Sequence, residues 1–285
     1  MALDRLPHLD DDGLYLPEVG DWAETKYRLL ANYAQMFANA MKKRWDARVY
    51  VDLCANAGRA RVKGSGAIIP TSAILAMAVD SPFDQYVFCD KNEVALDALR
   101  NRAERTRPEA QVAYVLGDCN SRTGEILASI PHHRPGFKVL SFCLVDPFSL
   151  AAIRFSTIRA LATRFMDFMV LIPTGMDARR NEDLYADGSS RVVEDFLGDP
   201  EWRSKWLNAS RTRRVRFEHF LLEQYAESMA RLSYLPLSAD EIVRVKNSKN
   251  QVIYDLAFFS RNELGRKFWR EARKSSDDQG HFRFA

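Results

Sequence analysis

The sequence predicts an α/β protein built on a doubly wound, mostly parallel β-sheet that helices cover on both faces. Strand-like and helix-like segments alternate from about residue 48 to residue 174, and the connections between them are short. The strand-like runs are apolar almost throughout, which is typical of strands that are buried on both faces. Repeated strand–helix–strand units form right-handed crossovers, and these place neighbouring strands parallel in one sheet.

The pattern opens with a helix within residues 22–45, where Tyr27, Leu30, Ala34 and Phe37 recur at steps of three and four and form an apolar stripe. Strands are predicted at 48–54, 85–91, 110–119, 137–148 and 166–174. The predicted helices between them lie at 70–80, 92–107 and 155–165, with a short one after residue 120. This order is the expected order of a parallel sheet.

The chain divides into four segments. Residues 1–21 form an arm without periodicity, and residues 22–174 hold the sheet. Residues 175–246 are a polar, basic and helical insertion. Residues 247–285 are expected to supply a terminal hairpin strand, a basic helix and a disordered tail. The hairpin turn is expected at 247–250, where two β-like runs meet, and the hairpin is expected to complete an edge of the sheet.

Composition is that of an ordinary soluble domain. The chain has 285 residues, 47% hydrophobic and 28% charged, with a net charge of +3, and so mild an excess does not by itself predict nucleic-acid binding. No apolar run approaches the roughly 18 residues of a membrane span. The first twenty residues are acidic and contain proline, unlike a signal or transit peptide. We therefore expect a cytoplasmic protein without a membrane segment.

The four cysteines, Cys54, Cys89, Cys119 and Cys143, lie in or just after strand-like runs, and no pair has CxxC spacing. We expect small buried residues of a reduced protein and predict no metal site.

An aspartate follows or ends each of the first four predicted strands. These residues are Asp52, Asp90, Asp118 and Asp146. In an open parallel sheet, ligands bind outside the carboxyl ends of the strands, so the sequence brings four carboxylates to the edge where a ligand is expected. Helix capping is the alternative explanation for Asp90 and Asp118.

The spacing of these carboxylates favours a nucleoside cofactor. Asp52 runs into a turn of small residues, Ala55, Asn56 and Gly58, which lets the backbone approach an amino-acid or phosphate group. Asp90, one βα unit later, is expected to accept hydrogen bonds from the ribose hydroxyls, and Asp118 from the adenine amino group. S-adenosylmethionine uses all three features. NAD uses only the first two, and the turn lacks the GxGxxG pattern.

The stretch VDPF at 145–148 ends the fourth strand. Asp146, Pro147 and Phe148 resemble the (D/N/S)PP(Y/F) motif of amino-methyltransferases, with one proline missing. In that motif the acidic side chain holds the target nitrogen and the aromatic ring stacks on the base. We therefore treat these three residues as the candidate catalytic segment, although Asp-Pro is also common in turns.

Taken in order, the stretches YVDLCANAGRARV, FCDKNEVAL, GDCN and LSFCLVDPFSL, with ETKYRLLANYAQMF and VIYDLAFFSRNELGRKFW, resemble the three-Cys-motif partner protein (TcmP) family over roughly residues 22–270. The resemblance implies a Rossmann-like fold of the class I S-adenosylmethionine-dependent methyltransferase type, related to enzymes that modify adenine amino groups in nucleic acid. It also implies a protein partner, the three-Cys-motif protein, a radical-type iron–sulfur enzyme.

The chain departs from the family's DLFAGPG pattern. Cys54 replaces Phe, Asn56 replaces Gly and Ala57 replaces Pro, whereas Asp52 and Gly58 are kept. Because asparagine is well able to adopt a positive φ, we expect the turn to survive. The departure leaves open a degenerate enzyme that serves only as the partner subunit. A nuclease that holds Mg²⁺ on the four carboxylates is a third possibility.

Two basic stretches are candidate substrate-binding segments. The first is a predicted loop with Arg59, Arg61 and Lys63, and the second contains Arg213 and Arg214. Both fit contact with nucleic-acid phosphates. Solvated charge is the alternative in both cases, with pairing to Glu218 and Glu223 in the second.

Overall fold

The computed structural model describes residues 5–281. The strands of the main sheet are β2 (Ala47–Asp52), β5 (Gln85–Asp90), β6 (Val112–Leu116), β7 (Val139–Val145), β8 (Met166–Ile172), β9 (Ile242–Lys246) and β10 (Val252–Phe259). A small second sheet contains β1 (Glu18–Val19), β3 (Arg59–Val62) and β4 (Ile68–Pro70).

The described helices are α1 (Ala23–Met41), α2 (Ser72–Met77), α3 (Glu93–Thr106), α4 (Thr123–Ala128), α5 (Phe155–Leu161), α6 (Glu182–Ala186), α7 (Val192–Leu197), α8 (Trp202–Thr212), α9 (Phe217–Arg231) and α10 (Glu263–His281). One π-helical turn, Thr174–Ala178, follows β8, and short 3₁₀ turns lie at Leu150–Ala152 and Ala239–Glu241. Helices α6 to α9 form the predicted helical insertion between β8 and the terminal hairpin.

The main sheet has the strand order β6-β5-β2-β7-β8-β10-β9. Strands β6, β5, β2, β7 and β8 run parallel, and β10 is antiparallel to both of its neighbours. The order reverses between β2 and β7, so the switch point of the sheet lies there. The predicted doubly wound, mostly parallel sheet is thereby confirmed, and the terminal hairpin completes one edge as expected.

The two faces of the sheet bury separate cores. Alternate residues of β2 show the division, because Val49 and Val51 belong to the core that includes Phe196 and Tyr225 of α7 and α9. Tyr50 belongs to the other core, with residues of α1, α2, α3 and α10. The strands are therefore apolar on both sides, which explains the continuous hydrophobic runs in the sequence.

The segment Arg59–Val62 differs from the prediction, which made it a loop. It forms β3, with alternating half-buried and buried residues, and it pairs with β1 on one side and β4 on the other. The sequence gives a weak strand signal here because the segment is only four residues long and two of them are arginines. Pairing with the N-terminal arm supplies the missing hydrogen bonds.

The N-terminal arm is fastened to the core by a buried ion pair. Both oxygens of Asp12 accept hydrogen bonds from the guanidinium of Arg102, at 2.6 and 2.8 Å. Arg102 also donates to the carbonyl oxygens of Ala57 (2.6 Å) and Tyr15 (3.0 Å). The side chain of Arg102 is 1% exposed and that of Asp12 is 9% exposed. One guanidinium thus joins the arm, helix α3 and the turn after β2.

All four cysteines are free; Cys54 is half-buried and the other three are buried. Within residues 5–281 no helix is long and apolar enough to cross a membrane. Residues 282–285, the end of the tail that the sequence predicts to be disordered, lie outside the described residues, and α10 extends to His281.

The variant Asp12→Asn should lower the free energy of unfolding by about 3 kcal/mol at pH 7, because it leaves a buried guanidinium without its counter-charge. Hydrogen bonds from Arg102 hold the pKa of Asp12 well below its ordinary range. The ion pair therefore contributes fully to the free energy of unfolding above about pH 4. This contribution is lost as the pH falls toward the lowered pKa of Asp12. Urea unfolding at pH 7 and pH 3 measures both effects.

The matched control is Asp11→Asn, which removes the exposed pair Asp11–Arg61. That variant should change stability by less than about 1 kcal/mol. Equal effects of the two variants would contradict the role of the buried pair.

Candidate functional site

A cleft of ≈ 690 Å³ opens at the carboxyl ends of β2, β5, β6 and β7, across the switch point of the sheet. Its volume is in the range of small-molecule and cofactor sites. The turns after these strands form its floor, and part of the N-terminal arm with the start of α1 forms a wall. Of the predicted site residues, those that line it are Asn56, Lys63, Asp90, Asp118, Asp146, Pro147 and Phe148.

The turn after β2 keeps the conformation expected for a cofactor loop. Asn56 has φ of 53° and Gly58 has φ of 79°. The Asn56 side chain folds back, and its Oδ1 accepts a hydrogen bond from the backbone N–H of Ala57 at 2.8 Å. A Cβ on Gly58 would lie 2.8 Å from Leu99 Cδ1. Gly58 therefore permits close packing of the turn on α3, and neither Gly58 nor Ala55 lines the cleft.

Asp52 lies beneath this turn and does not line the cleft. Its side chain is fully buried and accepts hydrogen bonds from Tyr50 Oη and the backbone N–H of Cys54, both at 3.2 Å. Burial raises the pKa of Asp52 to about 7, against the lowering effect of its hydrogen bond with Ser72. Its place in the structure is that of a support for the turn.

Asp90 and Asp118 both face the cleft. Asp90 Oδ2 accepts a hydrogen bond from the backbone N–H of Asn56 at 2.7 Å, and Asp90 Oδ1 accepts one from the backbone N–H of Asn92 at 2.9 Å. Asp90 therefore joins the turn after β2 to the turn after β5. Asp118 Oδ1 accepts the backbone and side-chain N–H groups of Asn120, both at 2.8 Å. Since a carboxylate has about four acceptor positions, each aspartate can still accept from a ligand. The cap of α3 is the Asn92 side chain, which accepts from Ala95.

The segment after β7 combines a buried charge with an exposed ring. Lys26 of α1 donates to Asp146 Oδ2 at 2.5 Å, and their side chains are only 10% and 14% exposed. Burial disfavours the Lys26 ammonium, yet the facing Asp146 carboxylate raises its pKa above the ordinary value. Phe148 is 65% exposed and lies at the cleft, with the Lys91 ammonium 5.1 Å from its ring centroid. A planar ligand can therefore stack on Phe148 beside a paired carboxylate.

The structure separates the three basic residues of the first stretch, two of which lie in β3 and one directly after it. Lys63 lines the cleft. All three pair with the arm, Lys63 with Glu18 at 3.7 Å, Arg59 with Asp12 at 3.4 Å and Arg61 with Asp11 at 2.7 Å, but Arg59 and Arg61 do not line the cleft.

The second basic stretch lies away from the cleft. Arg213 pairs with Glu223 at 3.0 Å, one of the two partners considered for a solvated face. Arg214 lines a shallower pocket that includes Arg179 and Trp206. These arginines are therefore not brought together with the carboxylates.

Of the cleft residues that the sequence did not predict, Lys26, Lys91 and Tyr254 carry polar groups that a ligand can contact. Lys26 precedes Tyr27 at the start of the α1 stripe, and a lysine one turn before Leu30 on an apolar face is a signal of a buried charge. Tyr254 lies near the start of β10. Because β10 is antiparallel, its first residues reach the edge where the parallel strands end, and only the strand direction reveals this.

Comparisons with known proteins add weak likenesses. No family model matches the chain, and no curated protein matches it. A Legionella pneumophila protein with the family model DUF519 gives a TM-score of 0.47 at 9% identity, over 87% of this chain and 90% of that one. An O-methyltransferase from Bacillus cereus in complex with SAH gives 0.44 at 14% identity, over 81% and 80%. The O-methyltransferase TomG from Streptomyces achromogenes, in complex with SAM, gives 0.43 at 12%, over 80% and 79%.

The fold class follows from the strand order of this chain itself. The main sheet has five parallel strands, β2, β5, β6, β7 and β8 in chain order, and its switch point lies between β2 and β7. The last strand, β10, lies antiparallel beside β8. This is the mixed sheet of the class I methyltransferase type that the sequence predicts. The resemblance to the TcmP family stays a prediction.

The pH dependence of stability should report the burial of Asp52. In the unfolded chain this carboxyl ionises near its ordinary value of 3.8, whereas in the folded protein it keeps its proton up to about pH 7. The folded state thus binds more protons between these values, and Asp52 lowers stability as the pH rises through this window. In Asp52→Asn, stability relative to the natural protein should rise by about 2 kcal/mol from pH 5 to pH 8.

Urea unfolding of both proteins at pH 5 and pH 8 measures this difference. The variant Asp97→Asn, at an exposed position of α3, serves as the control and should show no such change. A difference that does not grow with pH would contradict the raised pKa of Asp52.

Proposed function

We propose that this chain is an S-adenosylmethionine-dependent methyltransferase. The observation that carries the proposal is a single cleft at the switch point that joins the turn at Asn56 with Asp90, Asp118 and Asp146. Sites for nucleoside cofactors in doubly wound sheets lie at this point.

The residues of the cleft fit this cofactor. Asn56 adopts the positive φ that the turn requires, and its side chain is bound to the backbone of Ala57. Asp90 would accept from the ribose hydroxyls and Asp118 from the adenine amino group, as both keep acceptor positions. The replacement of glycine by Asn56 therefore does not destroy the shape of the turn.

When bound, the cofactor supplies a methyl group already activated by a positively charged sulfur. The residues of the chain have mainly to position the acceptor nitrogen, whose lone pair must point at that methyl group. Asp146 would accept a hydrogen bond from the acceptor N–H, and its ion pair with Lys26 at 2.5 Å holds that carboxylate in position. As the nitrogen gains the methyl group it must lose one proton, which Asp146 would accept.

For the acceptor, we propose an amino group of a nucleic-acid base, with adenine the first candidate. The exposed ring of Phe148 offers a stacking surface for a base, and Lys63 and Lys91 line the same cleft and can contact phosphates. A base within a duplex would have to be flipped out to enter the cleft.

The alternatives differ in their support. Among the side chains that the structure describes, no group of three or more His, Cys, Asp and Glu residues could hold a metal ion. A partner subunit of a three-Cys-motif protein would keep the fold without needing the cofactor. Cofactor binding is therefore the property that separates the two proposals.

Titration calorimetry with S-adenosylhomocysteine tests the cofactor site. The natural protein should bind it, and Asp90→Ala should weaken binding at least tenfold, because hydrogen bonds to a charged group contribute about 1.5–3 kcal/mol. Urea unfolding of Asp90→Ala, measured beside its affinity, shows whether loss of the two backbone hydrogen bonds of Asp90 also loosens the turn.

Asp97→Ala, on the exposed side of α3, is the matched control and should bind normally. Failure of the folded natural protein to bind the compound would overturn the methyltransferase proposal and leave the partner role.

Phe148→Leu tests the acceptor. We expect a loss of about 1–3 kcal/mol in binding of an adenine-containing single-stranded oligonucleotide, because stacking on the ring is removed. Methyl transfer from radiolabelled cofactor at low oligonucleotide concentration should fall accordingly, with cofactor affinity unchanged.

The control is Phe165→Leu, the same substitution at another exposed ring. Phe165 directly precedes β8, so it lies where this strand begins, at the end of the sheet opposite the cleft. Equal loss in both variants, or none in either, would contradict stacking at Phe148.

A further inference from the structure

Tyr254 is a polar group of the cleft to which the proposed roles assign nothing. Its side chain is 1% exposed and lines the cleft. Its hydroxyl has no hydrogen-bond partner among the described residues. Because a buried hydroxyl without a partner is unfavourable, a ligand in the cleft is the natural source of that partner.

The topology explains why Tyr254 reaches this place. Its neighbour Asp255 pairs with Ile172, at the carboxyl end of β8, so Tyr254 lies at the edge of the sheet where ligands bind. Asp255 is bound on its own side by Thr174 and Arg244. Successive residues of a strand point to opposite faces, which leaves Tyr254 on the α1 side of the sheet.

The surroundings of the hydroxyl define what it can bind. Lys26, Asp146 and Leu171 line the same cleft as Tyr254. Burial raises the pKa of Tyr254, so the hydroxyl keeps its proton and can donate. Because the positively charged ammonium of Lys26 lies nearby, a ligand atom that donates a hydrogen bond is disfavoured beside the Tyr254 hydroxyl. The ligand atom that faces this hydroxyl should therefore be an acceptor.

We propose that Tyr254 recognises the acceptor base beside its reacting nitrogen. Asp146 accepts from an amino group, and Tyr254 donates to the ring nitrogen next to it. On the Watson–Crick edge, an amino group adjacent to an unprotonated ring nitrogen occurs in adenine and cytosine. In guanine the ring nitrogen on that edge carries a proton, and the unprotonated nitrogen next to the amino group lies on the sugar side of the base. The proposal rests on the proposed methyltransferase function and gives its cleft a basis for choosing the base.

Tyr225 provides a matched control within the same chain. Its hydroxyl is also buried without a partner among the described residues, but it packs in the core on the opposite face of the sheet and does not line the cleft. Tyr254→Phe and Tyr225→Phe therefore remove the same atom from equally buried positions, and only the first removes it from the cleft.

The experiment uses both variants and two oligonucleotides. Binding of S-adenosylhomocysteine is measured first by calorimetry, and urea unfolding verifies that each variant is folded. The cofactor-product complex is then titrated with single-stranded thymidine oligonucleotides that contain one adenine or one 1-deazaadenine, which lacks the ring nitrogen.

We expect unchanged S-adenosylhomocysteine affinity in both variants. Tyr254→Phe should bind the adenine oligonucleotide about threefold to tenfold more weakly, the effect of one neutral hydrogen bond. The natural protein and Tyr225→Phe should discriminate against 1-deazaadenine by the same factor, and Tyr254→Phe should not discriminate.

Unchanged discrimination in Tyr254→Phe would overturn the proposal, as would equal losses in the two variants. The natural protein could bind S-adenosylhomocysteine but neither the adenine oligonucleotide nor one that contains cytosine instead. That result would overturn the nucleic-acid base as the acceptor, and with it the role of Tyr254, and would leave the methyltransferase function standing. Absence of S-adenosylhomocysteine binding would instead overturn the methyltransferase function on which the proposal rests.

Discussion

The parallel pairing of five strands is the constraint on which the site depends. Its register sets Asp52 opposite Phe88 and Asp90 opposite Leu116, so β2 ends two residues before β5, and β5 and β6 end together. Each following turn then delivers its side chains to the same edge. Asp90 strengthens this arrangement, because its carboxylate accepts backbone N–H groups from two successive turns and joins them.

Buried charges connect the rest of the molecule to that edge. Arg102 binds Asp12 of the arm and the carbonyl oxygen of Ala57 in the first turn, so the arm and the turn share one guanidinium. Lys26 performs a similar task for Asp146 after β7. In both pairs the desolvation of each charge is offset only while its partner is present, which makes the wall of the cleft depend on intact pairing.

The structure also divides residues that look alike in the sequence. Asp52 and Asp90 both end strands, but Asp52 is fully buried and supports the turn, whereas Asp90 faces the cleft. Arg59 and Lys63 lie on one short stretch, but only Lys63 lines the cleft. Strand β5 carries Asp90 two residues beyond the level of Asp52, and the arm pairs with Arg59, and neither feature is visible from residue type.

The sequence by itself determined the strand–helix order and the parallel sheet, because hydrophobic periodicity acts over a few residues. It also determined the edge that holds Asp90, Asp118 and Asp146 and the small turn at Asn56, because turn chemistry is local as well. Only the tertiary structure decided that Lys26 pairs with Asp146 across 120 residues and that Tyr254 enters the cleft. These contacts depend on how α1 packs and which way β10 runs, and long-range packing of that kind leaves no periodic signal in the chain.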